Sequence, residues 1–156
     1  MKVKSRKICF AASSGGHFEQ IVMLKPLMER YRSCVVTEKT KYITKIEGQK
    51  MYYLYQVNRK EKYCLFWLIV NAFISVRILI KERPDVIITT GVLAMIPICL
   101  LGKLFGKKLI YIESFAKVSS PTETGKFLYP YADQFYVQWK PMLMFYPDAI
   151  YLGGIY

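Results

Sequence analysis

The sequence has little of what a metal centre or a disulfide framework requires. It contains one histidine, His17, and four cysteines without a C-x-x-C pair. The cysteines are far apart in apolar surroundings, as is typical of buried thiols in a reducing compartment, and they are Cys9, Cys34, Cys64 and Cys99. We therefore predict no metal site and no cofactor.

Targeting and repeat segments are missing as well. The N-terminus is basic, but the apolar run after it covers only residues 8–12, which is too short for the core of a signal peptide. No internal repeat or low-complexity segment interrupts the chain. These features predict a protein of the cytoplasmic side.

Acidic residues are scarce beside basic ones. The chain has 23 Lys and Arg against 11 Asp and Glu, for a net charge of +12, and residues 1–83 carry +11 of it. This imbalance predicts an anionic partner for the front half. Nucleic acid is disfavoured, because the 13 tyrosines are scattered instead of forming a stacking motif.

The remaining composition suits one folded domain. Hydrophobic residues make up 53% of the chain, so burial can offset the entropy of ordering it. Domains most often have about 100–150 residues. We predict a single Rossmann-like domain over residues 1–156.

Short β-rich runs alternate with helical stretches, which predicts an α/β fold with a parallel sheet and helices on both faces. The predicted strands cover residues 8–12, 33–37, 51–55, 85–90, 108–112, 134–138 and 149–152. The predicted helices cover residues 17–31, 64–80, 93–105 and 122–131. Ligands of such sheets bind where the carboxyl ends of the strands meet.

The turn after the first strand is the first candidate site, and it consists of Ser13, Ser14, Gly15, Gly16 and His17. Glycine lets the backbone approach an anion, and the next helix presents free amides to phosphate. The turn matches neither G-x-G-x-x-G nor the Walker loop, which disfavours dinucleotide and ATP sites. Two interpretations stay open: an anion site, or a tight turn in which Ser13 or Ser14 caps the helix.

Two side chains are candidates for chemistry at this edge. His17 lies in the turn and is either a neutral base or a cationic phosphate ligand, because its charge changes near neutral pH. Glu113, followed by Ser114, ends a predicted strand, where a carboxylate can bind sugar hydroxyls or act as a base. The alternative for Glu113 is a helix cap or a loop salt bridge.

The helix predicted over residues 64–80 is a candidate membrane contact. Its 17 residues include one charge, Arg77, and it lies at the short end of the about 17–25 residues that span a bilayer, so spanning is disfavoured. It is apolar nearly all round, which exceeds what one sheet face can cover. We predict partial insertion into an anionic membrane surface, widened by the helix over 93–105, whereas the alternative is a core helix. The predicted contacts are Phe66, Trp67, Ile69, Phe73, Arg59, Lys60, Lys62, Lys81 and Arg83.

Several stretches together resemble the membrane-associated subunit of two-component glycosyltransferases. They are Ser14-Gly15-Gly16-His17, Arg83 to Gly91, Pro97, Tyr111 to Ser114, Val137 to Trp139, Tyr146-Pro147 and Tyr151 to Gly153. That family includes the eukaryotic anchoring subunit of the UDP-N-acetylglucosamine transferase that extends dolichyl-diphosphate N-acetylglucosamine, and bacterial relatives from capsule and exopolysaccharide clusters. A more distant resemblance is to the N-terminal half of the GT-B glucosaminyltransferase that forms lipid II.

The resemblance implies the N-terminal half of a GT-B fold and a set of site roles. In relatives the Gly-Gly-His turn lies near a lipid diphosphate and the region of Gly91 faces the interdomain cleft, and these roles map onto Gly15, Gly16, His17, Gly91 and Glu113. Eukaryotic relatives have glycine where this chain has Ser13, and they carry an N-terminal membrane helix, so the helix over 64–80 is expected to supply attachment here.

The resemblance also implies the partners. It predicts a polyprenyl-diphosphate-linked sugar as acceptor, a UDP-sugar bound through a separate donor-binding subunit, and a peripheral or monotopic position on the cytoplasmic face of the membrane. Two alternatives stay open: a non-catalytic anchor that activates the partner, and a free-standing nucleotide-binding module.

Overall fold

A computed structural model describes residues 6–41 and 44–156 and shows one seven-stranded sheet in which every pairing is parallel. Its strands are β1 (Lys7–Ala12), β2 (Arg32–Glu38), β3 (Lys50–Leu54), β4 (Val86–Gly91), β5 (Lys108–Ile112), β6 (Gln134–Val137) and β7 (Ile150–Tyr151). Their order is β3-β2-β1-β4-β5-β6-β7. All seven predicted strands are confirmed within one residue at each end. Residues 1–5, part of the predicted basic N-terminus, lie outside the described residues.

In the residues that the structure describes, five α-helices cover both faces of the sheet, and coverage of both faces was predicted. They are α1 (Gly16–Val22), α2 (Lys25–Arg30), α3 (Cys64–Glu82), α4 (Ile96–Leu104) and α5 (Glu123–Leu128). Side chains of α3, α4 and α5 pack into one apolar core, and those of α1 and α2 pack into a second core on the opposite face. The central strand β1 is buried between the two cores from Ile8 to Ala12, which explains its unbroken apolar sequence.

One predicted helix is wrong in its extent. The stretch over 17–31 is split into α1 and α2 by a break at residues 23–24, and Pro26 lies in the first turn of α2. Proline has no amide hydrogen and its ring clashes with the carbonyl four residues earlier, so it ends a helix but is tolerated at a helix start. The helix predicted over 122–131 is likewise shorter, since a 3-10 turn over Tyr129–Tyr131 replaces its last part.

Parallel pairing brings the carboxyl ends of all strands to one edge of the sheet, which we call the carboxyl edge. The turn after β1, Gly91 at the end of β4, and Glu113 after β5 all lie there. Because β1, β4 and β5 are neighbours in the sheet, the three predicted parts of the site are adjacent.

Candidate functional site

The turn after β1 has the open backbone that the sequence predicted. Gly15 has φ +77, a conformation that L side chains rarely adopt, and no atom lies within 4 Å of a Cβ added at Gly15 or Gly16. Ser13 is buried and its hydroxyl donates to the Ser14 carbonyl at 3.2 Å. The alternative in which Ser13 or Ser14 caps the helix is wrong, because Gly15 occupies the cap position without a side-chain cap.

His17 is held at the junction of β1 and β4. Its carbonyl accepts a hydrogen bond from Thr90 Oγ1 at 3.1 Å, which ties α1 to the end of β4. The ring nitrogen Nδ1 is buried and has no hydrogen-bond partner among residues 6–41 and 44–156. Burial lowers the pKa of His17 from its ordinary value, and the Thr90 backbone and the charge of Glu113 offset this only in part. The imidazole is therefore neutral at pH 7.

Glu113 is fully buried, and its carboxylate is surrounded by donors. It accepts hydrogen bonds from the amide of Ser114 at 2.9 Å, from the hydroxyl of Thr122 at 2.9 Å and from the hydroxyl of Tyr146 at 2.7 Å. The Thr122 amide adds a fourth at 3.2 Å. A carboxylate has about four lone-pair sites, so the protein itself fills the acceptor capacity of Glu113.

The residues around the Glu113 carboxylate are closely packed. A Cβ at Gly125 would clash with the Glu113 carboxylate and would lie 2.6 Å from the Tyr146 hydroxyl. Burial and the bond to Glu113 raise the pKa of Tyr146, so this phenol stays protonated and keeps donating. Thr122 also caps α5 by accepting from the Gly125 amide at 2.9 Å. The cluster joins β5, α5 and the segment before β7.

A pair of buried glutamines ties the carboxyl edge together, and no role was predicted for either. Gln138 donates to Gln20 Oε1 at 2.6 Å and to the carbonyl of Glu113 at 2.9 Å. Gln20 Oε1 also accepts from the Phe115 amide at 3.1 Å. The available signal was weak: Gln20 is a polar residue that is buried together with Phe18 and Ile21 on one side of a short helix.

Gly91 needs its glycine for two reasons. Its φ is +99, and an added Cβ would lie 2.5 Å from the Tyr111 hydroxyl. The next residue, Val92, also has a positive φ of 91, which is strained for a β-branched side chain. Strain of this kind clusters at functional sites. Ser114 is buried beside Glu113 at the same edge.

Helix α3 buries polar side chains against the sheet and exposes apolar ones. Its buried residues include Asn71, Ser75 and Glu82, and Asn71 exchanges two hydrogen bonds with the Tyr55 backbone at 2.8 and 2.9 Å. Ile78 and Leu79 are buried as well, but five other large apolar side chains face outward in one stripe, and we call these residues the apolar stripe: Leu65, Phe66, Ile69, Phe73 and Ile80. Phe73 is 72% exposed. Leu104 and Phe105, at the end of the neighbouring α4, are exposed too.

The other predicted membrane contacts divide into two groups. Trp67 is only partly exposed, because its ring packs against Tyr55 with centroids 4.6 Å apart. All five predicted cations are exposed, with three before α3 and two at its end, and they are Arg59, Lys60, Lys62, Lys81 and Arg83. By length and composition alone, α3 is also long enough to cross a membrane.

Comparison with known proteins identifies relatives along nearly the whole chain. The profile of the family described as "Oligosaccharide biosynthesis protein Alg14 like" matches residues 8–155. The UDP-N-acetylglucosamine transferase subunit alg14 of Schizosaccharomyces pombe is 45% identical over 75 residues, which are 45% of this chain and 36% of that protein. The human subunit ALG14 is 28% identical over 181 aligned residues, covering 97% of this chain and 84% of that protein.

Solved structures show the same fold at low identity. MurG of Acinetobacter baumannii aligns with a TM-score of 0.71 at 16% identity over 85% of this chain and 41% of that one. MnaA of S. aureus, in a co-structure with UDP, aligns with a TM-score of 0.73 at 12% identity over 97% of this chain and 46% of that one. The chain thus has the Rossmann-like fold of one half of a GT-B protein, and it belongs to the Alg14-like family of oligosaccharide biosynthesis proteins.

Proposed function

We propose that this chain is the acceptor-binding, membrane-contacting subunit of a two-component glycosyltransferase. The observation that carries the proposal is the open Gly15–Gly16 turn at the carboxyl edge beside His17, whose Nδ1 is buried without a partner in the described part of the chain. The names of the relatives add support, since each is a subunit of a UDP-N-acetylglucosamine transferase. A separate donor-binding subunit holds the UDP-sugar, and the acceptor is a sugar on a polyprenyl diphosphate.

The turn after β1 is suited to the diphosphate of the acceptor. Gly15 and Gly16 leave space above the backbone, and the amides of Gly16 and His17 precede the first intrahelical bond, from Phe18 N–H to the Gly15 carbonyl. Amides of this kind stabilise phosphate oxygens without a reorganisation cost. In this proposal Ser13, Ser14, Gly91 and Ser114 complete the rim of the acceptor site.

His17 is the group that contacts the reacting hydroxyl. Its neutral imidazole accepts the proton of the acceptor hydroxyl while the hydroxyl oxygen bonds to the anomeric carbon of the donor, and UDP leaves with the electron pair of the broken bond. Glu113 acts as a positioning residue, because its four hydrogen bonds leave it no free acceptor site for substrate. It fixes Ser114 and the loop that follows β5.

The apolar stripe is proposed to enter the cytoplasmic face of the membrane. Buried Asn71, Ser75 and Glu82 fix the polar side of α3 against the protein, which disfavours a spanning helix and leaves Phe66 and Phe73 without protein cover. Each cation near an anionic leaflet adds about 1 kcal/mol, so the five flanking cations strengthen the contact. The N-terminus of α3 follows β3 at the carboxyl edge, which supports a position of the acceptor site near the membrane.

The test is reconstitution of the complex. The chain and its donor-binding partner are expressed separately and together, and transfer from a UDP-sugar to a polyprenyl-diphosphate acceptor is measured. We expect activity only when both are present, and full activity of the partner alone would refute the proposal. A set of UDP-sugars and acceptor sugars in the same assay identifies the sugar transferred.

A non-catalytic anchor is the second candidate, and the saturation of Glu113 favours it, since one of the two predicted catalytic groups is not free to react. Under this reading, replacing His17 leaves the turnover of the reconstituted complex unchanged, while replacing the apolar stripe still lowers membrane binding. Turnover of a His17→Ala complex at saturating acceptor therefore separates the two candidates.

A further inference from the structure

Four cations surround a hollow at the edge of the sheet opposite the candidate site. Arg6 precedes β1, Arg32 begins β2, and Lys81 and Arg83 lie at the end of α3. Because β1 and β2 are parallel and start side by side, these residues converge on one hollow of about 310 Å³. Ligand pockets of about 300 Å³ are at the small end of the known range, so the hollow suits a small group rather than a whole nucleotide.

None of these four cations is paired with a carboxylate of the described residues. The Glu82 carboxylate on the inner wall is already bound by Lys7, Lys50 and the Tyr52 hydroxyl. Asp85, on the rim, accepts from the Lys7 amide at 2.7 Å. Within the described part of the chain, no ion pair is formed by any member of the group Arg6, Arg32, Lys81 and Arg83.

Such an arrangement is unfavourable unless an anion enters. The lining has five basic and two acidic residues, so it carries a net charge of +3 in a confined space. Glu82 on the wall of the hollow is only 5% exposed, while the side chains of the four cations are exposed around it. Arginine donates two parallel hydrogen bonds to phosphate oxygens, which makes a phosphate group the fitting ligand for Arg6 and Arg32.

The neighbouring surface indicates what carries the phosphate. Ile80, one residue before Lys81, is 60% exposed and is the last member of the apolar stripe. An amphiphile bound with its head in the hollow would therefore place its hydrocarbon part along the stripe toward Phe73. We propose that this hollow binds the phosphate group of an anionic membrane lipid, an inference that rests on the membrane contact proposed for α3.

The experiment compares two charge-matched double variants of the full chain. Arg6→Gln with Arg32→Gln removes two cations of the hollow. Lys25→Gln with Lys140→Gln removes two exposed cations that do not line the hollow. Binding is measured by co-sedimentation with phosphatidylcholine vesicles, with and without phosphatidic acid. We expect the hollow variant to lose about 30-fold in binding to the anionic vesicles, and the control variant to stay within about twofold of the parent.

A second measurement distinguishes loss of the phosphate site from loss of the fold in the hollow variant. Inorganic phosphate should raise the thermal midpoint of the parent chain, by mass action on the folded state, and leave that of the hollow variant unchanged. In phosphate-free buffer the hollow variant should be at least as stable as the parent, since it has lost like-charge repulsion. Equal vesicle binding of the two variants, together with no phosphate effect on the parent, would overturn the proposal.

Two further comparisons identify the source of the phosphate and test the membrane contact of the apolar stripe separately. A phosphate effect that depends on Arg6 and Arg32, without any loss of vesicle binding, supports the phosphate site but assigns it to a soluble ligand. A Phe66→Ser, Phe73→Ser variant should lose binding to neutral and anionic vesicles alike, whereas the hollow variant should lose only the preference for anionic ones. Failure of the stripe and failure of the hollow are thereby distinguished.

Discussion

At the scale of single residues, the two candidate groups of the carboxyl edge differ in what surrounds them. His17 Nδ1 is buried without a partner among the described residues, while the carboxylate of Glu113 has four donors. A buried polar atom without a partner costs about 1–3 kcal/mol, so the unpaired Nδ1 of His17 destabilises the fold unless a ligand binds it. Glu113, in contrast, contributes to stability and has no capacity left for substrate.

Replacing His17 with alanine is expected to lower the turnover of the reconstituted complex by about 10²–10⁴-fold, the usual contribution of a general base. The pH dependence of the activity is a more specific test of this role. Because the pKa of His17 is lowered by burial, the neutral base predominates at pH 7, and activity falls as the pH drops below the ordinary value of about 6.5. The acid limb should be absent from the residual activity of His17→Ala.

Substitutions at two glycines separate an effect on stability from an effect on acceptor binding. Gly125→Ala pushes a methyl group into the Glu113 and Tyr146 cluster, and we expect it to lower the free energy of unfolding by about 3 kcal/mol, as overpacking and broken hydrogen bonds do. Gly16→Ala meets no atom within 4 Å, so stability should be unchanged or slightly raised, while the KM for the lipid acceptor should rise if the diphosphate lies over the turn. Denaturant unfolding and the transfer assay, run on both variants, check this; a stable Gly125→Ala would contradict the packing argument.

At the scale of elements, α3 has separate tasks on its two sides. Its inner side fixes the segment after β3 through Asn71 and the end of the helix through Glu82, and its outer side presents the apolar stripe. This differs from the usual pattern of a surface helix, because Asn71, Ser75 and Glu82 are buried with hydrogen-bond partners while the apolar stripe is exposed. The inner side of the helix gains stability from packing on the sheet, and we propose that the outer side contacts an apolar medium.

Paired variants of α3 should separate these tasks. Asn71→Ala leaves both backbone groups of Tyr55 without partners, and we expect a loss of about 2 kcal/mol in the free energy of unfolding without a change in vesicle binding. Phe66→Ser with Phe73→Ser should leave stability nearly unchanged and move the protein from vesicles to the soluble fraction. If membrane partitioning persists in this variant, α3 is not the membrane contact.

The elements also show how far the sequence can be interpreted. All seven strands were predictable because each is a short, nearly continuous apolar run bounded by turn residues. Pro26 is the sequence signal for the break between α1 and α2. The apolar pattern continues on both sides of the break and does not indicate it. The partners of Glu113 were not predictable, since Thr122, nine residues away, and Tyr146, 33 residues away, reach it only through tertiary packing. Spacing along the sequence contains no such information.

At the scale of the whole molecule, excess positive charge is the main electrostatic feature. The chain carries +12 at pH 7, and protonation of its acidic residues at low pH increases the repulsion. Glu82 binds two lysines, as Asp133 also does, and it joins Lys7 at the start of β1 and Lys50 at the start of β3 to the end of α3. Its loss should affect the stability of the sheet as a unit.

We expect Glu82 to dominate the acid limb of stability. Burial alone would raise its pKa, but the bonds from Lys50, Lys7 and Tyr52 outweigh burial and lower the pKa to about 2. A lowered pKa means that the stabilisation is complete above the unfolded value of about 4.3 and is lost as the pH falls toward 2. Glu82→Gln should therefore cost about 2 kcal/mol at pH 7 and progressively less between pH 4.5 and 2. Urea unfolding across this range measures the difference. Glu123→Gln, which breaks an exposed pair with Lys126, is the matched control and should follow the parent at every pH; a parallel loss in both variants would show that general charge, and not the Glu82 cluster, sets the acid limb.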